Sequence, residues 1–217
     1  MPQKEESWPF QQIYRLFLLT GQRREEVAGM RWEELDLENA IWNLPAMGDV
    51  KVTKKRKDQE YQTGRTKNRE AHIVNLSRQA LAVIATIPRA ESGFCFSTTG
   101  YSSPSGFGKV KARIDVRIAS VLGKAPTHWV NHDLRRTIAT QSAELLGVEA
   151  DIIERILNHK STTRSGLKGV YQRQERLDLR AQAFSTWGDY VENLVKQEDV
   201  RGFDGPDAQV SRPCGVP

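Results

Sequence analysis

His132-Asp133-Leu134-Arg135-Arg136-Thr137, HDLRRT within the row NHDLRRTIAT, sets a histidine and an arginine three residues apart at the start of an apolar-periodic segment. With Asn131 as the N-cap, both side chains fall in the first turn of a helix and point to one side. Such a helix start suits a phosphate, because the unpaired backbone N–H groups and the helix dipole act in the same direction. Alone, HxxR is a common coincidence, and an arginine next to Arg136 on a surface helix is ordinarily solvated. The reading therefore depends on what accompanies it.

Working outward, the chain of 217 residues can bury one sizeable core, and one domain is expected. Lys+Arg 32 against Asp+Glu 27 gives a net charge of +5, and with a pI near 9.3 this favours a polyanionic partner. Cys95 in GFCFS reads as a small core residue and Cys214 as a tail thiol, so neither a disulfide framework nor a metal spacing follows. The four histidines are scattered and no carboxylate cluster accompanies them, so neither a metal nor a cofactor is expected. The apolar runs IYRLFLL and ALAVIATI are far too short for a membrane span, and the start lacks a signal pattern. A soluble cytoplasmic protein is expected.

The order of elements places the motifs. Phe10, Ile13, Phe17 and Leu18 recur at helical spacing until Thr20-Gly21 interrupts them, and RREEVAGMRW continues as a short helix. AIWNLP and EAHIVNL read as strands of a small antiparallel sheet in the N-terminal third. Between them, residues 46–66 are polar and Lys-rich and read as a long, mobile basic loop. Ser77 caps the helix of SRQALAVIATI, FCFS is a candidate short strand, and PSGFGKVKARIDVRIASVL is basic and helical in period. Beyond KAPTHWVN the pattern is helical: DLRRTIATQSAELLG, GVEADIIERILNH, a short piece around Lys168 to Tyr171, and the amphipathic run RLDLRAQAFSTWGDYVENLV. The fold class is α+β, mainly helical. Residues 1–196 form the expected domain, and 197–217, rich in Gly, Pro and Asp, the expected disordered tail.

Several further residues join the opening pair. Arg23 follows the helix-stopping Thr20-Gly21, His159 ends a helix whose apolar face is Ile152, Ile153, Ile156 and Leu157, and Tyr171 follows Gly169. Singly, each has an ordinary reading: a solvated charge beside Glu25 and Glu26, a helix-end histidine, a core tyrosine. As an ordered set, TGQRREEVAGMRW, RTKNREAHIVNLS, HDLRRT, LNHKS and GVY resemble the catalytic domain of the tyrosine recombinases, the phage integrase family. The resemblance runs from about Trp8 to Tyr190. LSRQAL, HDLRRT, LNH, VYQR and the late Trp187 resemble the integrases of prophages and genomic islands in particular.

The resemblance implies Arg23 and Arg135 as phosphate-clamping arginines, Lys67 as the lysine of the strand-to-strand turn, His132 and His159 as active-site histidines, and Tyr171 as the nucleophile. Two departures stand out: Asn158 occupies the usual glycine before the second histidine, and the long 46–66 stretch offers Lys51, Lys54, Lys55 and Lys57 as rivals to Lys67. The implied activity is site-specific DNA recombination through a 3′-phosphotyrosyl intermediate, on double-stranded DNA attachment sites, by a tetramer in the full-length protein. The alternatives are a non-catalytic DNA-binding remnant using the same groove and type IB topoisomerase-like relaxation. Integrases of this kind carry N-terminal DNA-binding domains, which are expected to be absent here. The run RLDLRAQAFSTWGDYVENLV either docks on a neighbouring protomer or closes this protomer's own core.

Overall fold

The computed structural model describes residues 8–46, 50–54, 59–63, 70–89, 93–100 and 102–159 and the helix 168–201, with backbone alone for 50–63, 168–175 and 198–201 within those ranges. Helix α1, Phe10–Thr20, lies at the centre of the packing and buries Ile13, Leu16, Phe17 and Leu19, positions that recur on one face of the helical repeat. It stops at Gly21, whose φ of +63° is the left-handed conformation of a helix C-cap and whose N–H returns to the Phe17 carbonyl at 3.0 Å. The five-residue helix α2, Arg24–Ala28, follows at once, so Gln22 and Arg23 sit in a tight turn between two helices.

After a 3-10 turn at Trp32–Glu34, strands β1, Leu35–Asp36, and β2, Ile41–Leu44, lead into the small sheet. Strands β3, Val50–Lys54, and β4, Gln59–Thr63, pair antiparallel as a separate ribbon, with Val52 opposite Tyr61. The basic stretch is therefore not a plain loop. A two-stranded ribbon needs cross-strand backbone hydrogen bonds rather than an apolar face, so its polar composition hid it. Strand β5, His72–Asn75, completes the sheet order β1-β2-β5, all antiparallel, with Trp42 opposite Val74 and Leu44 opposite His72. Trp42, Leu44 and Val74 are buried on one face, as the period of two requires.

Helix α3, Arg78–Ala85, begins at Ser77, whose Oγ accepts the Ala80 N–H at 3.2 Å. FCFS forms no strand: Phe94 makes an isolated bridge with Arg31. Helix α4, Phe107–Leu122, is fastened at its first residue, where Phe107 meets Phe10 edge-on at 5.3 Å. Helix α5, Asn131–Glu144, is capped differently from expectation. Val130 is the N-cap and its N–H donates to the Asp133 carboxylate at 2.8 Å, while the Asn131 side chain accepts the Tyr14 hydroxyl of α1 at 2.9 Å.

Helix α6, Ala150–Ile156, presses Ile152, Ile153 and Ile156 into the core. The short piece at Lys168–Tyr171 and the later amphipathic run are one helix, α7, Lys168–Arg201, which passes the expected domain end at Lys196. Its Ala183, Phe184 and Trp187 are buried in this chain's own core, and the Trp187 indole donates to the Leu18 carbonyl at 2.6 Å. Gly188 lets α7 approach α3 closely, since a Cβ there would lie 2.8 Å from the Ser77 hydroxyl. Among the described residues no helix is long and apolar enough to cross a membrane.

Candidate active site

The turn after α1 supplies the first arginine. Arg23 is extended at the N-cap of α2, its N–H donates to Glu26 Oε2 at 2.8 Å, and its Nη1 pairs with Glu26 Oε1 at 2.9 Å. Glu26 is only 1% exposed. A carboxylate so buried needs hydrogen bonds and a cation, and here both come from Arg23. The guanidinium is thereby aimed while remaining partly exposed, and Glu26 takes one of its five N–H donors.

Arg135 arrives from α5 and is buried, 4% exposed. Its Nη1 donates to the Gly21 carbonyl at 2.5 Å and its Nη2 to the Leu157 carbonyl. Both acceptors are carbonyls at helix ends, which lack partners within their own helices. Glycine suits position 21, because its φ is +63° and a Cβ would lie 3.0 Å from Ile138 Cδ1 and 3.1 Å from Leu157 Cδ2. Burial first, and then the Arg23 charge, push the Arg135 guanidinium down to about 10, with Glu26 opposing them. At neutral pH it is still a cation, and it repels a second cation across a shared cleft.

That cleft, of about 550 Å³, is lined by Arg23, Arg135, His132 and Lys111 and backed by Phe17 and Phe107. His132 is exposed in the first turn of α5. Lys111 is held by Asp115 at 2.6 Å and lies 4.6 Å from the centre of the Trp129 ring, whose indole also donates to Asp115 at 2.7 Å. His159 lies outside the lining but within electrostatic reach. Partial burial first, then the charges of Arg135 and Arg23, hold its imidazole below the usual histidine value, with His132 adding slightly and Glu154 opposing. His159 follows Asn158, whose φ of +48° is left-handed. Asparagine is among the few residues that tolerate this conformation, which accounts physically for its standing where a glycine is usual.

Three of the six residues singled out from the sequence, Arg23, His132 and Arg135, thus line the cleft, and His159 stands outside its lining within electrostatic reach of both arginines. Tyr171 lies in the first turn of α7, with its side chain outside the described residues, and Lys67 also lies outside them. Helix α7 is tied to the site's framework by Arg176, which pairs with Asp151 of α6, and by Arg180, which donates to the Ile73 carbonyl of β5.

Sequence reasoning missed two buried polar residues here. Glu26 entered only as a neighbour of Arg23, although the Arg-x-x-Glu spacing at a helix start was a signal for a carboxylate reaching back to the N-cap. His72 went unremarked, although the alternation of EAHIVNL places it on the same inward face as Val74.

Residues 3–165, three quarters of the chain, match the phage integrase family. The chain belongs to that family, the tyrosine recombinases. Among its curated relatives this integrase-family chain is 27% identical over 186 residues to the integrase of Enterobacteria phage P4, covering 82% of this chain and 39% of the relative. It is 28% identical over 178 residues to the prophage integrase IntA of Escherichia coli strain K12, covering 80% and 37% respectively. It therefore spans about two fifths of the length of these relatives. In fold it resembles the Tn1549 transposon integrase, solved in complex with circular intermediate DNA, at a TM-score of 0.54 and 18% identity over 77% of this chain and 59% of that one. The mainly helical architecture with a small antiparallel sheet agrees with the expected fold class.

Proposed function

We propose that this chain carries the catalytic centre of a site-specific DNA recombinase, with duplex DNA at its attachment sites as the substrate. One observation carries the reading: two arginines from distant parts of the chain, one buried and one partly exposed, face one cleft together with His132, and one buried carboxylate opposes them. Holding two cations at this distance is unfavourable without an anion between them. The nonbridging oxygens of a phosphodiester supply that anion, and planar guanidinium groups suit them better than ammonium groups do. The start of α5 adds its dipole in the same sense.

In this mechanism Arg23 and Arg135 stabilise the charge that grows on the nonbridging oxygens during in-line attack. The Tyr171 hydroxyl attacks phosphorus and His132 accepts its proton, since a phenol with a pKa of about 10 is mostly neutral at physiological pH. The phosphorus–O5′ bond breaks as Lys67 delivers a proton to the leaving oxygen. His159, its imidazole held below the usual value by partial burial and then by the two arginines, donates to a nonbridging oxygen and orients the phosphate. The products are a 3′-phosphotyrosyl enzyme and a free 5′-hydroxyl. A phosphodiester has been exchanged for a phosphotyrosyl bond of similar energy, so attack by another 5′-hydroxyl rejoins the strands without ATP.

Lys111 and Arg24, on either side of the cleft, bind neighbouring phosphates in this reading, and their contribution is salt-sensitive. Four protomers of the whole recombinase pair two sites in the cytoplasm, on the nucleoid. The test is a pool of nicked suicide duplexes that lose a short 5′-hydroxyl fragment on cleavage. A DNA-shifted protein band on a denaturing gel, lost in Tyr171→Phe, is expected; a band that survives that substitution overturns the assignment.

A further inference from the structure

The end of α6 is held by three other parts of the chain at once. The last carbonyls of an α-helix have no partner within the helix. Here the Ile156 carbonyl accepts Gln22 Nε2, from the turn after α1, at 3.0 Å and lies 3.2 Å from His72 Nε2 of β5, while the Leu157 carbonyl accepts Arg135 of α5. Gln22, His72 and Arg135 are 3%, 7% and 4% exposed, so water does not compete for these bonds. Immediately beyond, Asn158 turns left-handed and the His159 N–H closes onto the Glu154 carbonyl at 2.9 Å. The three side chains therefore fix the turn on which His159 stands.

The reaction accounts for neither Gln22 nor His72, and His72 is the titratable one of the two. It occupies an inward position of β5 opposite Leu44, where an aliphatic residue would fill the same space. A carbonyl oxygen can only accept, so the ring contacts it as the Nε2–H tautomer. A proton on Nδ1 as well would place a further charge beside Arg180 of α7, Arg135 of α5 and Arg23, inside the core. Burial and those three arginines together press the ring down to about 3, so it stays neutral. Its neighbour Ile73 accepts from Arg180, which anchors the same strand to the helix that carries Tyr171. In the sequence, β5 is also the strand that follows Lys67.

We propose that His72 is a positioning residue of the active site: its Nε2–H, donated to the Ile156 carbonyl, ties β5 to the end of α6 and so holds the Asn158–His159 turn beside Arg135. The catalytic part of this inference rests on the recombinase reading; the contact itself does not.

The test compares His72→Gln, whose amide N–H can still donate to the carbonyl, with His72→Leu, which fills the space without donating. Circular dichroism and thermal melting establish that both are folded. In the nicked-duplex assay His72→Leu is expected to form the covalent adduct roughly 10- to 100-fold more slowly, the scale of a catalytic group displaced by about an ångström, while His72→Gln retains most of the rate. A residue that only fills space gives the reverse order, and that result overturns the proposal. A second readout needs no DNA. By NMR, wild-type His72 is expected as the neutral Nε2–H tautomer at pH 5. The His159 pKa, depressed first by partial burial and then by Arg135 and Arg23, is expected to return toward its ordinary value in His72→Leu but not in His72→Gln. A neutral His72 ring with its proton on Nδ1 rather than Nε2, or a His159 titration unchanged in His72→Leu, overturns the proposal. If wild type forms no adduct while both NMR results hold, the recombinase reading fails and the positioning contact stands.

Discussion

Lowering the pH from 7 to 5 should destabilise the wild-type fold by about 2 kcal/mol through His72 alone. In the folded chain burial, first, and then the charges of Arg180, Arg135 and Arg23 hold the His72 imidazole down to about 3, against an ordinary value of 6.5. Between these two values the unfolded chain binds a proton that the folded chain refuses, so stability rises with pH in that window. The stabilisation is complete above pH 6.5, is lost as pH falls below it, and levels off only near pH 3. Over the range 7 to 5 the folded ring stays unprotonated and the unfolded ring becomes almost fully charged, which sets the figure of about 2 kcal/mol. For a chain of this size the corresponding fall in Tm is about 4–8 °C. The assay is thermal melting of wild type and His72→Gln at both pH values, because the glutamine variant cannot take up the proton. His159 is depressed in the same direction and carboxylates titrate lower still, so subtracting the variant isolates His72. An equal fall in Tm for both proteins refutes the reasoning.

The remaining predictions follow from single contacts. Arg135→Lys keeps the charge but cannot bond the Gly21 and Leu157 carbonyls together, and adduct formation should fall about 100- to 1,000-fold with a measurable loss in urea stability. Gly21→Ala places a Cβ at 3.0 and 3.1 Å from Ile138 and Leu157 and forces a left-handed φ; a loss of about 1–3 kcal/mol is expected in urea unfolding. Asn158→Gly should leave stability nearly unchanged, whereas Asn158→Val at φ +48° should cost about 1–2 kcal/mol, also read in urea.

Much of this architecture was legible because its signals are local. The stop at Thr20-Gly21, the Ser77 cap and the alternation of AIWNLP and EAHIVNL all mark boundaries through neighbouring residues. The candidate site rests on a family order of Arg23, His132, Arg135 and His159; the fold brings the first three to one cleft and leaves His159 outside its lining, within electrostatic reach. What escaped was set by tertiary partners. Asn131 read as an N-cap, yet its side-chain oxygen accepts the Tyr14 hydroxyl at a separation of 117 residues, and Val130 is the N-cap, its N–H held by the Asp133 carboxylate. The polar break before RLDLRAQAF concealed the continuity of α7, whose Arg176 and Arg180 bond Asp151 and the Ile73 carbonyl rather than facing only solvent. Glu26 carried a local signal in its spacing from Arg23, whereas the partner of the buried His72, the Ile156 carbonyl, lies 84 residues away and is not revealed by the linear sequence.

The central claim is that Tyr171 attacks a phosphodiester and keeps the 3′ end. Its most direct test is the chemical identity of the adduct formed on the randomised nicked duplexes, after nuclease and trypsin digestion and mass spectrometry. The account predicts a nucleotide joined through its 3′ phosphate to Tyr171 in the peptide Gly169–Arg173. A nucleotide on any other residue, or one joined through its 5′ phosphate, would contradict it.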